Sequence, residues 1–427
     1  MRVAVIGYGV EGQAAAAYWS RRGHDVTVCA PTLSEELPDG IASRVGPTYL
    51  DGIDAFDLIV RSPSVRPDLL PPDGNVTSVT REFLERCPGL VIGVTGTQGK
   101  GTTCTAIASI LRAAGRTVLV GGNIGIPPLD YLDKVDPDDI VVLELSNFQL
   151  IDARVSPRVA VVLAVTPDHL NWHTDLDEYY AAKAPIAAHQ RPDDVVVYDA
   201  VNPVAARIAS ASPARAVPFG VEDGFHARDG QIRRGSTVLV DRADIPLRGD
   251  HNLRNLTAAV AAVYDLVDGD TDALVSGVRS MRPLPHRLQP VGEIRGVWYV
   301  NDSLSTTPET TRAAIAAYPE PKVLILGGSS KGLSFESLAE AIASADIRAL
   351  LLTGDDAPRI AAALRAAEVR DYEIVDGSMS DIVRRAAEIA RPGDVVLLSP
   401  ACASFDRYRD YADRGEQFVA AVEALRR

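Results

Sequence analysis

The segment Gly93-Val94-Thr95-Gly96-Thr97-Gln98-Gly99-Lys100-Gly101-Thr102-Thr103 has the composition of a phosphate-binding loop. It follows an apolar run, Leu90-Val91-Ile92, and precedes a helix-like stretch at 104–114, which is the context such a loop needs. Glycines let successive backbone N–H groups converge on phosphate oxygens, and a helix N-terminus adds positive potential. Gly96, Thr97, Gln98, Gly99, Lys100, Gly101, Thr102 and Thr103 are therefore the expected ATP-binding stretch, with Lys100 reaching the β- and γ-phosphates. The competing reading, an ordinary glycine turn after a strand, does not account for a lysine set immediately before a helix. The usual pattern places Ser or Thr directly after the lysine to hold Mg²⁺. Here Gly101 stands there, so the expected hydroxyl is displaced to Thr102, with Thr103 as the second choice.

Three further features could complete a site. Val141-Val142-Leu143-Glu144 is an apolar strand pattern that ends on an acid. Burying a carboxylate is costly unless it meets a cation. Mg²⁺ beside bound phosphates would supply one; a salt bridge at a sheet edge is the structural alternative. Val161-Val162-Leu163-Ala164-Val165 is a second such strand, followed by Asp168 and His169. Parallel strands of open α/β sheets deliver functional residues at their carboxyl edge, so Glu144 and His169 are expected near the loop of Lys100. His173 is a weaker candidate. Lys183 follows the Asp168-His169 pair by about four helical turns and, taken alone, reads as a solvated surface lysine.

These residues need elements to position them. Apolar runs bounded by glycine occur at 3–6, 90–94 and 323–326, as buried parallel strands require. Helix-like segments alternate with them, which favours α/β units. Breaks near Pro88-Gly89 and Pro283-Leu284-Pro285 divide the 427 residues into segments of 1–89, 90–285 and 286–427. Short strands and turns are expected around 195–250. A hydrophobic content of 46% and a charged content of 23% describe a globular chain. The formal net charge of −14 argues against non-specific nucleic-acid binding. The N-terminus enters a strand pattern directly, without the features of a signal peptide, and no apolar stretch reaches the roughly 18 residues of a membrane span. The four cysteines show no zinc or disulfide spacing, so a cytoplasmic location is expected.

The chain resembles the Mur ligase family, most closely its MurD type, over essentially its whole length. The most specific pieces are Gly121-Gly122-Asn123-Ile124-Gly125, Glu144-Leu145-Ser146-Asn147-Phe148-Gln149-Leu150, Gly249-Asp250-His251-Asn252, Pro285-His286-Arg287, Asn301-Asp302-Ser303 and Leu398-Ser399-Pro400-Ala401-Cys402-Ala403-Ser404. The resemblance implies three α/β domains: an N-terminal Rossmann-like domain for the UDP substrate, a central P-loop ATPase-like domain with a parallel sheet, and a C-terminal Rossmann-like domain for the amino acid. It implies ATP and Mg²⁺ as cofactors, UDP-N-acetylmuramoyl-L-alanine and glutamate as substrates in peptidoglycan precursor synthesis, and a monomer. Thr102, Glu144, His169 and Lys183 would serve the metal, Lys183 as a carbamate. Lys100, His169 and Lys183 would be catalytic. Asn252, Arg287 and Asp302 match ATP contacts. Val10, Glu11, Ser62 and Asn123 match contacts to the UDP substrate, whereas Cys29 stands where the type often has an acid. Lys331, Thr306, Ser404 and Tyr411 match glutamate contacts.

The implied chemistry is phosphorylation of a carboxylate by ATP, then attack by the amine on the acyl-phosphate, with domain closure excluding water. In Asn301-Asp302-Ser303-Leu304-Ser305-Thr306-Thr307-Pro308, Leu304 replaces a usual Lys and Thr307 a usual Asn. That run resembles a branch that uses L-glutamate, so L-glutamate is expected over D-glutamate. A folylpolyglutamate synthase-like ligase also carries glycine after the lysine, but it lacks a domain like residues 1–89. A catalytically dead nucleotide-binding protein would be expected to have lost Lys100, Glu144, His169 or Lys183, and all four are present.

Overall fold

The computed structural model describes residues 1–33, 35–72, 74–168 and 172–426. They form two compact units, Met1–Ile245 with Arg254–Met281, and Pro246–Leu253 with Arg282–Arg427. The first unit holds two sheets and the second holds one.

In the first unit the run at 3–6 is fully buried and lies at the middle of a five-stranded parallel sheet. The strand order is Ala42–Val45, Asp25–Ala30, Arg2–Ile6, Leu58–Arg61, Val76–Ser78. The chain reverses direction of travel across the sheet at Arg2–Ile6, and the helix Val10–Arg21 starts at that switch point, the place where open α/β sheets bind ligands. The larger, nine-stranded sheet runs from Val118–Gly122 through Ile140–Glu144, Leu90–Thr95, Val159–Val162 and Val195–Asp199 to Arg215–Phe219, all parallel. The short strands expected around 195–250 extend it, ending in the antiparallel strands Gln231–Arg234 and Thr237–Val240. Its switch point is Leu90–Thr95, flanked by Ile140–Glu144 and Val159–Val162. The phosphate-loop sequence therefore leaves the sheet at the position where topology opens a crevice.

The second unit shows how period-2 alternation builds a two-faced sheet. In Lys322–Gly327, Leu324 and Leu326 pack with helices Pro308–Ala316, Glu336–Ser344 and Ala357–Ala366. Val323 and Ile325 pack on the other face with Met379–Ile389 and Tyr411–Ala424. The order is Gln289–Ile294, Val297–Asn301, Val395–Leu398, Lys322–Gly327, Ile347–Thr353, Glu373–Ile374, with only the first strand antiparallel. No helix among the described residues is long and apolar enough to cross a membrane.

One packing contact braces the helix Lys100–Ala113 that follows the loop at 93–99. The helix Thr271–Arg279 lies against Lys100–Ala113 so closely that a Cβ on Gly277 would stand 2.4 Å from Ile110 Cα. Backbone cannot yield as a flexible side chain does. Gly277→Ala is therefore predicted to cost about 1–3 kcal/mol of stability, read as a lower midpoint in urea unfolding; an unchanged midpoint would contradict this packing.

Candidate functional site

At the carboxyl edge of the nine-stranded sheet, Gly96 has φ 148° and Gly99 φ 86°, both in the region that favours glycine. A Cβ on Gly96 would meet Leu163 Cβ at 2.7 Å, and one on Gly99 would meet Asn255 Oδ1 at 2.2 Å. Lys100 then opens the helix Lys100–Ala113. Its Nζ donates to Gly96 O at 3.2 Å and to Thr97 O at 3.0 Å. Thr97 Oγ1 donates to Thr166 O (3.0 Å) and accepts from Thr166 N (2.9 Å), which ties the loop to the segment leading to Asp168. Gln98 is exposed, Gly101 is half-buried, and Thr102 and Thr103 are buried on the first helical turn, where Thr103 Oγ1 donates back to Gly99 O at 3.0 Å.

Lys183 corrects its surface reading. It is 1% exposed, and its Nζ donates to Gly96 O at 3.1 Å. Two lysines thus converge on one carbonyl of this glycine-rich loop. Burial and, next, the charge of Lys100 pull the Lys183 amine down to about 7, partly opposed by Asp168. Its Nζ also lies 4.8 Å from the ring centre of Tyr179, whose hydroxyl meets Thr97 Oγ1 at 2.9 Å. Tyr179 was not foreseen; its position one helical turn before Lys183 is the only local signal.

Glu144 pairs in register with Val94, one strand away from the loop. Its carboxylate is buried and accepts from Asn123 Nδ2 at 2.9 Å. It has no ion-pair partner among the described residues and its strand is interior to the sheet, so the edge salt bridge is not seen. Asn123 is set by its glycines: a Cβ on Gly122 (φ 97°) would fall 2.2 Å from Glu144 O. His169 lies outside the described residues. His173 is a core histidine, buried among Phe148, Trp172 and Tyr179, with Nε2 accepting from Asn147 Nδ2 at 2.7 Å.

The five-stranded sheet gathers a second group. Ser62 Oγ donates to Gly7 O at 3.2 Å, Glu11 takes a hydrogen bond from Gln149 Nε2 at 2.5 Å, and Val10 is exposed. Gln149 was missed, although Ser146-Asn147-Phe148-Gln149 carries the capping-box pattern that the structure forms. Arg61 was missed too. Fully buried, it pairs with Asp152 (2.8 Å) and donates to the carbonyls of Val65 and Phe148 (both 2.8 Å), joining the small sheet to the segment after Glu144.

In the second unit, motifs far apart in sequence meet. Asp302 is buried, accepting from Leu288 N (3.0 Å) and Ser399 Oγ (2.7 Å). It thereby holds a turn in which His286 and Leu288 have φ 61° and 42°, a conformation that costs a non-glycine residue about 1–3 kcal/mol. Arg287 lies in that turn and, after burial, is the largest influence holding His251 down at about 4. Asn252 is buried, with Nδ2 donating to Arg248 O at 2.8 Å. Lys331 Nζ donates to Thr306 Oγ1 at 2.8 Å. Ser404 is buried and Tyr411 half exposed, its carbonyl accepting from Ser303 Oγ at 2.7 Å. Arg414, which no local pattern announced, donates to Ser303 Oγ and O, Cys402 O and Ala403 O, and so links the Asn301-Asp302-Ser303 and 398–404 motifs.

Residues 94–263 match the Mur ligase middle domain and residues 286–402 the Mur ligase glutamate ligase domain. A UDP-N-acetylmuramoylalanine–D-glutamate ligase of Symbiobacterium thermophilum is 38% identical over 448 residues, covering 99% of this chain and 98% of that protein. This chain belongs to the Mur ligase family. A second relative of the same name, from Pelotomaculum thermopropionicum, is 36% identical over 452 residues, covering 100% of this chain and 98% of its own length. Among solved structures, a MurF ligase from Thermotoga maritima in complex with ADP superposes with a TM-score of 0.65 at 20% identity, covering 99% of this chain and 95% of that one. MurC from the same organism gives 0.64 at 18% identity over the whole of both chains. These likenesses establish the three-sheet α/β fold of Mur ligases, with mainly parallel sheets, as the sequence led us to expect.

Burial is the largest influence on Asp302 and pushes its carboxyl up to about 6, against hydrogen bonds from Ser305, Ser399 and Leu288. Between about pH 4 and pH 6 the folded protein therefore keeps a proton that the unfolded chain has released, so stability falls as pH rises through that window. Asp302→Asn cannot titrate. Relative to this variant, the parent is predicted to lose about 2 kcal/mol between pH 4 and pH 7; parallel pH profiles in urea unfolding would refute it.

Proposed function

We propose that this Mur ligase joins glutamate to UDP-N-acetylmuramoyl-alanine at the expense of ATP, in peptidoglycan precursor synthesis. The observation that carries the reading is the meeting of Lys100 and Lys183 on Gly96 O. Two ammonium groups on one buried carbonyl repel each other. A triphosphate beside Lys100 relieves that repulsion, and so does conversion of Lys183 into an anion. With its amine held at about 7, Lys183 offers near neutral pH the uncharged form that adds to CO₂ to give a carbamate. The full-length likeness to relatives named as glutamate ligases supports the same chemistry.

Thr102, Glu144, His169 and carbamylated Lys183 would together hold Mg²⁺. The buried carboxylate of Glu144, without an ion-pair partner among the described residues, and the predominance of oxygen donors fit that ion. When bound, Mg²⁺ would neutralise charge on the phosphates. The protein's own groups do the rest. The loop 96–103 cradles ATP through its N–H groups, and Lys100 stabilises the γ-phosphoryl as it moves to the substrate carboxylate. Asn252, Arg287 and Asp302 are proposed to complete ATP binding, and Val10, Glu11, Ser62 and Asn123 to hold the UDP substrate. Lys331, prepositioned by Thr306, is proposed to pair with a glutamate carboxylate, with Ser404 and Tyr411 beside it. The glutamate amine then attacks the acyl-phosphate and phosphate leaves.

The relatives' names support D-glutamate as the amino acid. A second reading, L-glutamate, rests on Leu304. Thr307 carries less weight, because it caps the helix Pro308–Ala316, a task that Asn performs as well. Leu304 is the departure that removes a cation from the run beside Thr306.

Incubation with UDP-N-acetylmuramoyl-L-alanine, ATP, Mg²⁺ and either enantiomer separates the readings. Product with D-glutamate alone removes the argument from Leu304; product with L-glutamate alone removes the argument from the relatives; product with neither overturns the function. Lys100→Ala is expected to lower both ADP release and ligated product at least about a hundredfold, and a variant that turns over at the parental rate would exclude the loop from catalysis.

A further inference from the structure

Glu11 stands in the first turn of Val10–Arg21, just after the tight Gly7-Tyr8-Gly9 turn. The turn is closed by contact: a Cβ on Gly12 would lie 2.2 Å from Gly7 O. The N-cap is Gly9, which provides no side-chain hydrogen bond, so the first N–H groups have neither an intrahelical acceptor nor a cap. A second, independent feature sits beside them. Gln149 Oε1 accepts from both Ser146 N and Ser146 Oγ at 2.9 Å, which fixes the amide so that Nε2 must donate. It donates to Glu11 Oε1. Glu11 Oε2, by contrast, is buried and has no hydrogen-bond partner among the described residues. An unpaired buried polar oxygen costs about 1–3 kcal/mol, and such atoms in native proteins ask for a reason.

The surrounding charges do not provide one. Arg61 faces Glu11 from Leu58–Arg61, but its donors are committed to Asp152 and to the carbonyls of Ser62, Pro63, Val65 and Phe148. Asp152 faces it from beyond Asn147–Leu150 and is of like sign. A helix N-terminus at a sheet's switch point attracts an anion such as a diphosphate. An ionised carboxylate set in its first turn would repel that anion, whereas a protonated one would donate to it.

Building on the proposed UDP substrate, we infer that Glu11 binds an anionic oxygen of that substrate as a neutral carboxylic acid, with Oε2–H as the donor, so that binding takes up one proton from solvent. Burial already holds the Glu11 carboxyl at about 7, against the Gln149 hydrogen bond and Arg61, and with Asp152 adding to the rise. The ligand's charge raises it further.

Titration calorimetry of the intact protein with UDP-N-acetylmuramoyl-L-alanine, at pH 8 in two buffers of different ionisation enthalpy, counts the protons. Close to one proton per ligand is expected, and Kd should weaken about tenfold between pH 6 and pH 8. Glu11→Gln keeps a donor but cannot titrate, so it should bind with a pH-independent Kd and no uptake; Glu11→Ala should also show no uptake. Ligand binding by the parent without proton uptake, or uptake retained in both variants, overturns the inference while leaving the proposed substrate standing. Absence of binding by the folded parent overturns both.

Discussion

Positive charge held in a dry place is what the rest of the first unit serves. The Nζ atoms of Lys100 and Lys183 share Gly96 O, Lys183 fully buried and Lys100 partly so. Gly96 must be glycine, because its φ and its distance to Leu163 leave no space for a side chain. The Tyr179 ring lies against Lys183, and its hydroxyl fixes Thr97. The strand register that puts Glu144 beside Val94 brings a buried carboxylate to the same edge. Each of these arrangements suits the proposed binding of ATP and Mg²⁺ at this edge.

The second unit uses charge differently. Asp302 takes one backbone hydrogen bond, from Leu288, beside those of Ser305 and Ser399, Arg414 donates mostly to carbonyls, and the backbone they hold is unusual. His286, Leu288 and Ala401 all have positive φ. A buried carboxylate and a buried guanidinium keep these turns in conformations the chain would not choose alone, which gives the Lys331–Thr306 pair a rigid surrounding.

Much of this was legible from residue order. Apolar runs before glycines located the central strands of all three sheets, and the loop 93–103 lies where its composition placed it. Glu144 was readable because an acid ending an apolar strand is rare enough to need a cause. What escaped was whatever depends on tertiary proximity. Lys183 looks like any helical lysine until the fold buries it under the loop. Arg61 and Arg414 gather carbonyls from segments that are distant in sequence, and nothing near them signals it. Gln149 was half visible, since its capping box can be read but its grip on Glu11 cannot. His169, which lies outside the described residues, rests on sequence alone.

The discontinuity of the units has a consequence for synthesis. The helix Lys100–Ala113 finds its partner in Thr271–Arg279, which follows the excursion Pro246–Leu253 into the other unit. A growing chain that has completed both sheets of the first unit thus still lacks the helix that packs on Lys100–Ala113. Truncation before Gly277 would remove the backbone that packs on Ile110 and leave the helix Lys100–Ala113 without that contact.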